Sequence, residues 1–120
     1  MRDLENRVAI VTGGASGIGR SIALKLATHG AKISIGDLQE LPREGGKTTK
    51  EVITENGGEA IFTKVDISKE DQVEELVEKT VRSFEGVDIL VNNAAADQSA
   101  GTIEEMSTNE WERVIRTNLT

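Results

Sequence analysis

The sequence has 120 residues, enough for one domain and too few for two, so residues 1–120 are expected to form a single unit. Hydrophobic residues make up 37% and charged residues 29%, which suits a folded globular chain, and no apolar run reaches the length of a membrane span. The net charge of −7 argues against broad binding to nucleic acid or anionic membrane, and the absence of cysteine excludes disulfides and thiolate metal sites. No signal-peptide pattern opens the chain, so the expected location is cytoplasmic.

Arg7 to Thr12 is a nearly continuous apolar run, the pattern of a strand buried on both faces of a parallel sheet. A turn over Gly13 to Gly19 follows. From Ile18 onward, Ile18, Ile22, Ala23, Leu26 and Ala27 recur at helical spacing, and Gly30 stands where a glycine ends a helix. Lys32 to Gly36 reads as a second strand ending at Asp37. Gln39 to Lys50 is the least regular stretch, a loop entering a weakly amphipathic helix over about Lys47 to Asn56, which Gly57-Gly58 ends. Glu59 to Val65 is a third strand, closed by Asp66.

Ser68 with Asp71 resembles a capping box for the next helix. Val73, Leu76, Val77, Thr80, Val81 and Phe84 form its buried face, and Gly86 is expected to end it. Asp88 to Asn92 is a fourth strand. Ser107-x-x-Glu110 is a full capping box for a last helix, with Trp111, Val114, Ile115 and Leu119 on its core face. That pattern is still running at Thr120, so the sequence is expected to be the N-terminal part of a longer one. Strict β-α alternation predicts an α/β fold, a Rossmann-type doubly wound parallel sheet with right-handed crossovers. The four strands are expected in the order 3-2-1-4, with the C-terminal strands missing.

The candidate site centres on Gly13-x-x-x-Gly17-x-Gly19. Twelve glycines yield such spacings by chance, so the context carries the argument: the turn follows a strand and opens a helix. Gly13 permits the tight turn, Gly17 lets the backbone approach a pyrophosphate, and Gly19 lets the helix pack closely. The helix N-terminus offers unpaired N–H groups and the positive end of its dipole. Asp37 lies about 20 residues beyond the turn, where an acid hydrogen-bonds the adenosine ribose hydroxyls of NAD and repels the 2′-phosphate of NADP. Ser16 and Leu38 bring no cation to offset that charge, so NAD is the expected cofactor and NADP the less favoured one.

Thr12-Gly13-Gly14-Ala15-Ser16-Gly17-Ile18-Gly19 resembles the T-G-x-x-x-G-x-G turn of the short-chain dehydrogenases/reductases. Three later segments carry the resemblance further. Asp66-Ile67 stands where that family contacts the adenine, Asn92-Asn93-Ala94-Ala95 resembles its N-N-A-G motif, and Trp111-x-x-Val114-x-x-x-Asn118-Leu119 resembles the helix bearing its active-site asparagine. From Gly57 to Leu119 the sequence is most similar to the branch of 3-oxoacyl-carrier-protein reductases and glucose 1-dehydrogenases. The resemblance implies an NAD-dependent oxidoreductase that moves a hydride between nicotinamide and a small alcohol or carbonyl substrate. It implies cofactor binding by Gly13, Ser16, Gly17, Ile18, Gly19, Asp37, Leu38, Asp66, Ile67, Asn93, Ala94 and Ala95. It implies a catalytic role for Asn118 and, at full length, a homo-oligomer, commonly a tetramer.

On the residues alone, Asn92 and Asn93 also suit a turn, and Asn118 a satisfied structural amide. Ala95 departs from the family glycine and adds strain if that position needs positive φ. The loop from Gln39 to Lys50 is longer than usual. The largest departure is that the 120 residues contain no tyrosine, whereas the family uses a serine and a Tyr-x-x-x-Lys pair for proton transfer. A non-catalytic dinucleotide-binding module and an inactive fragment therefore remain alternatives. The lone His29 and the acids from Glu70 to Glu78 read as surface, and nothing suggests a metal site. An open sheet edge predicts that the chain expressed alone is insoluble or oligomerises.

Overall fold

The computed structural model describes residues 3–93. Its elements alternate from β1 (Val8–Thr12) through α1 (Gly17–Thr28), β2 (Lys32–Asp37), α2 (Thr49–Glu55), β3 (Ala60–Lys64) and α3 (Glu70–Phe84) to β4 (Ile89–Asn92). The four strands form one parallel sheet in the order β3-β2-β1-β4, as the sequence pattern predicts. This is a Rossmann-type arrangement. The crossover direction reverses between β1 and its two neighbours, which puts the switch point at the C-terminal end of β1.

The apolar run of β1 is explained by burial on both faces. Ala9 and Val11 point into a layer with Ala23 of α1, Ile33 and Ile35 of β2, and Ile53 of α2. Ile10 points the opposite way, into a layer with Val65 and with Val73, Leu76 and Val77 of α3. Strand alternation thus assigns neighbouring residues to opposite helix layers. Ser34 and Thr80 place a polar pair in the second layer. Thr80 Oγ1 donates to the Leu76 carbonyl at 2.7 Å, so Ser34 supplies the proton for its 2.6 Å contact with Thr80 Oγ1. Both hydroxyls are fully buried and both are satisfied, which is what makes them tolerable there.

Helix ends follow the sequence in part. Gly30 has φ +100°, and the Gly30 and Ala31 N–H groups donate back to Ala27 and Leu26, closing α1 as expected. The box expected at Ser68 and Asp71 does not form. Lys69 caps α3 without a side-chain bond, and the Ser68 hydroxyl donates to Asp66 Oδ1 at 2.7 Å instead. Nor does Gly86 supply the left-handed residue after α3. Glu85 does, with φ 70°, because the helix stops at Phe84 and the required conformation falls one residue earlier. The loop after β2 also ends in an unexpected device. Thr48 and Glu51 form a reciprocal capping box at the start of α2, with bonds of 3.1 and 2.8 Å.

β1 is buried along its whole length, whereas Ile89 to Val91 of β4 are only half-buried. The helix expected to begin near Ser107 lies outside the described residues. No described helix is long and apolar enough to cross a membrane.

Candidate functional site: the glycine turn at the sheet's switch point

Parallel strands deliver the residues that follow them to one edge of the sheet. Gly13 follows β1, Asp37 is the last residue of β2, and Asp66 and Asn93 come after β3 and β4, so all four share the C-terminal edge. The sheet register sets their relative heights. Thr12 pairs with both Gly36 and Asn92, and Asp37 pairs with Lys64.

Gly13 leaves β1 with φ +69°, in the left-handed region that favours glycine, while its N–H still reaches the Gly36 carbonyl at 2.7 Å. Gly17 opens α1 with φ +56°, and nothing lies within 4 Å of where a Cβ would stand, while its N–H is taken by a side chain of the loop after β2. Gly19 is required by crowding. A Cβ there would overlap the Gly13 carbonyl and stand 2.8 Å from Asn93 Nδ2. The close approach that Gly19 permits is therefore to the start of its own turn and to β4's end, rather than to a strand.

Ser16 caps α1 with extended backbone, but its side chain does not cap the helix. The buried hydroxyl accepts instead from the Arg43 N–H at 2.8 Å. Ile18 is 72% exposed and Leu38 58% exposed, so two apolar side chains flank the turn without packing. Asp37 faces the turn directly. Its Oδ2 accepts from the Ala15 N–H at 3.0 Å and its Oδ1 from the Leu38 N–H at 2.7 Å. A carboxylate has about four acceptor positions, so each oxygen keeps capacity for a hydroxyl donor.

Asp66 is locked by its neighbours. The Ser68 side chain and then the Ser68 backbone N–H hold its carboxyl below the usual Asp range, while its own N–H donates to Gln72 Oε1 at 2.7 Å. Ile67 packs beneath it against the α3 layer. The Asn93 N–H donates to Thr12 Oγ1 at 3.0 Å. Ala94, Ala95 and Asn118 lie outside the described residues.

The structure also brings in residues that were not among the expected site residues. Thr12 is fully buried and its hydroxyl donates to Asn92 Oδ1 at 2.9 Å, tying the ends of β1 and β4 together. Thr49 Oγ1 donates to the Gly14 carbonyl at 2.7 Å and accepts from Arg20 at 3.3 Å. Glu44 Oε2 accepts from the Gly17 N–H at 3.2 Å. Thr48-x-x-Glu51 carried a readable cue, the same pattern as Ser107-x-x-Glu110. Glu44 and Thr49 carried none, since nothing in the sequence says where an irregular loop folds back. The loop also sets the Arg43 backbone on Ser16 and brings Arg20 near Glu44.

The family model for short chain dehydrogenase matches residues 7–120. The chain belongs to this family. An "uncharacterized oxidoreductase" of Thermotoga maritima is 46% identical over 117 residues, spanning 98% of the chain and 44% of that relative. "Glucose 1-dehydrogenase 2" of Bacillus subtilis is 34% identical over 119 residues, spanning 99% of the chain and 45% of that relative. The chain thus spans somewhat under half the length of these short-chain relatives. Among solved structures, a hydroxysteroid dehydrogenase from Escherichia coli superposes with a TM-score of 0.77 at 26% identity, covering 97% of the chain and 51% of that structure. A short-chain dehydrogenase/reductase from Burkholderia phymatum in complex with NAD gives 0.65 at 29% identity, covering 75% of the chain and 31% of that structure. The glycine turn, the strand order and the family match agree on an oxidoreductase family fold.

Proposed function

We propose that the chain is the dinucleotide-binding part of an NAD-dependent oxidoreductase acting on a small alcohol or carbonyl compound. The observation that carries this is the carboxylate of Asp37 held against the glycine turn through the Ala15 N–H, with acceptor capacity to spare. The missing side chain at Gly17 and the N-terminus of α1 suit a pyrophosphate, and a carboxylate at the β2 end suits ribose hydroxyls. The NAD complex of the Burkholderia phymatum relative supports a nicotinamide cofactor.

In this reading Gly13, Ser16, Gly17, Ile18 and Gly19 hold the phosphates and adjoining ribose. Asp37 takes the ribose hydroxyls, and Leu38, Asp66 and Ile67 border the adenine. Asn93, Ala94 and Ala95 are assigned to the cofactor on the strength of the N-N-A-G resemblance. The cofactor, when bound, supplies a hydride acceptor or donor. The chain's own residues contribute binding and orientation, and Asn118 is assigned to the active-site helix that its resemblance implies. Since the 120 residues hold no tyrosine, the phenol that would move the substrate proton has to come from outside them.

A second reading, a dinucleotide-binding module without catalysis, draws on that same lack of tyrosine. Titration calorimetry with NAD and NADP on the full chain, repeated on Asp37→Asn, tests the cofactor assignment. NAD should bind more tightly than NADP, and the substitution should weaken NAD about tenfold while shrinking the preference. Tighter NADP binding by the parent would refute the assignment. Cofactor binding with no hydride transfer to any alcohol or carbonyl tested would favour the module.

A further inference from the structure

The glycine turn carries a second carboxylate, from a segment that the dinucleotide reading does not use. The loop between β2 and α2 folds back over the turn. Its Gly45 N–H donates to the Pro42 carbonyl at 3.0 Å, closing a four-residue turn that carries Arg43 and Glu44 at its tip. Two bonds join that tip to the start of α1: Arg43 N–H to Ser16 Oγ at 2.8 Å, and Gly17 N–H to Glu44 Oε2 at 3.2 Å.

The second bond is the informative one. Gly17 is the first residue of α1, and its N–H is one of the donors that a helix leaves unpaired. An anion is favoured there by the helix dipole. Glu44 supplies that anion from within the chain. Its own N–H and the Gly17 N–H hold its carboxyl below the usual Glu range, and Arg20 adds to the effect. The contact is nevertheless built to give way. At 3.2 Å it is at the long limit for an N–H···O bond, and Glu44 is exposed. Gly45 and Gly46, with φ +87° and +89° and nothing within 4 Å of a Cβ, give the tip no side-chain packing on its C-terminal side.

We infer that the Glu44 carboxylate occupies an anion position of the cofactor site and is exchanged for a phosphate group of the dinucleotide, which makes Glu44 a determinant of cofactor affinity and choice. This rests on the dinucleotide reading above. Two phosphates have the required chemistry, the bridging pyrophosphate and the 2′-phosphate of NADP, and they predict different selectivities. If the pyrophosphate displaces Glu44, every dinucleotide has to break the contact. If the 2′-phosphate does, Glu44 joins Asp37 in discriminating against NADP alone.

The test uses the full chain, with Glu44→Gln, and Glu40→Gln as a control that removes the same charge from the same loop. Two readouts apply: titration with NAD and NADP at fixed ionic strength, and hydrogen exchange of the Gly17 amide without ligand. Glu44→Gln should tighten binding about two- to fivefold, the range of a helix-terminus charge contact. Equal tightening for both cofactors assigns the pyrophosphate, and tightening for NADP alone assigns the 2′-phosphate. Glu40→Gln should leave both constants as in the parent. The Gly17 amide should exchange faster before any ligand is added in Glu44→Ala, which removes the acceptor altogether, since glutamine keeps a neutral one.

Unchanged or weaker binding in Glu44→Gln, with the parent binding NAD normally, would overturn the inference and leave the dinucleotide reading intact. Equal tightening by Glu40→Gln would overturn it in favour of bulk charge. Unaltered Gly17 exchange in Glu44→Ala would show that the contact is not made and would overturn the inference. A parent that binds neither cofactor would remove the dinucleotide reading, and the inference with it.

Discussion

The β1-to-α1 turn and the loop that folds over it touch each other, yet they are held by different means. The turn is set by the sheet. β1 is wholly buried, Gly13 still bonds to Gly36 of the neighbouring strand, and Gly19 sits where a Cβ would strike the Gly13 carbonyl. Among the described residues the loop has no strand partner around Glu44. It rests on side-chain bonds to backbone, from Ser16, Glu44 and Thr49. Packing forbids alternatives to the turn, whereas the loop's tip is one arrangement that an anion could replace. Rigid support beneath and a replaceable contact above is a workable division for a site that must admit a charged ligand.

The sharpest way to break this contrast is to add one methyl group on each side. Gly19→Ala should destabilise the full chain by about 3 kcal/mol, at the upper end for overpacking, because the clash is with backbone that cannot rotate away. Cofactor binding should be lost with it. The matching change in the loop, Gly45→Ala, meets no atom within 4 Å and strains only a positive φ of +87°, so about 1 kcal/mol is expected. Urea unfolding of both variants makes the comparison. A Gly19→Ala loss as small as that of Gly45→Ala would mean that the turn yields and is no more rigid than the loop.

The same contrast governs what was legible in the sequence. The order of strands, the β1 core and the clustering of Gly13, Asp37, Asp66 and Asn93 at one edge all follow from periodicity and from the rule that parallel strands end together. Those are repeating patterns, and a repeat can be read without coordinates. Ser16 shows where that stops. Its type and position suit a helix cap, but the hydroxyl serves Arg43, which lies in an aperiodic segment. Ser68 is similar, since Asp66 competes for its hydroxyl more closely than the helix N-terminus does. Short polar side chains near helix starts have several partners within reach, and only the three-dimensional arrangement chooses among them.

A smaller perturbation asks how firmly the loop's far end is anchored. Thr49 is fully buried, its hydroxyl donates to the Gly14 carbonyl and accepts from Arg20. Thr49→Val keeps the shape and removes both bonds, at a cost of about 1–2 kcal/mol. Hydrogen exchange should quicken over residues 43–51 and stay unchanged in β1. Equal acceleration in β1 would show that the loop and turn form one cooperative unit, against the division drawn here.

The smallest expected effect concerns pH and the start of α2. The Glu51 carboxylate accepts the Thr48 N–H at 2.8 Å, and the Thr48 backbone followed by its side chain hold the carboxyl below its ordinary value of 4.5. A depressed carboxyl pKa in the folded state means that the contribution is complete above pH 4.5 and is lost as pH falls through the lower folded value. Glu51 is exposed, so solvent screens the effect and only a slight one is expected. Glu51→Gln removes the ionisation and leaves a neutral acceptor for the same N–H. Its stability between pH 3 and 6 should therefore lack the parent's small acid-side decline, an outcome read from paired thermal melts across about that range. A parent and variant with parallel curves would show that the box does not couple α2 to pH. The loop's anchoring would then rest on Thr49 and the α2 core contact of Ile53, the two buried residues of α2.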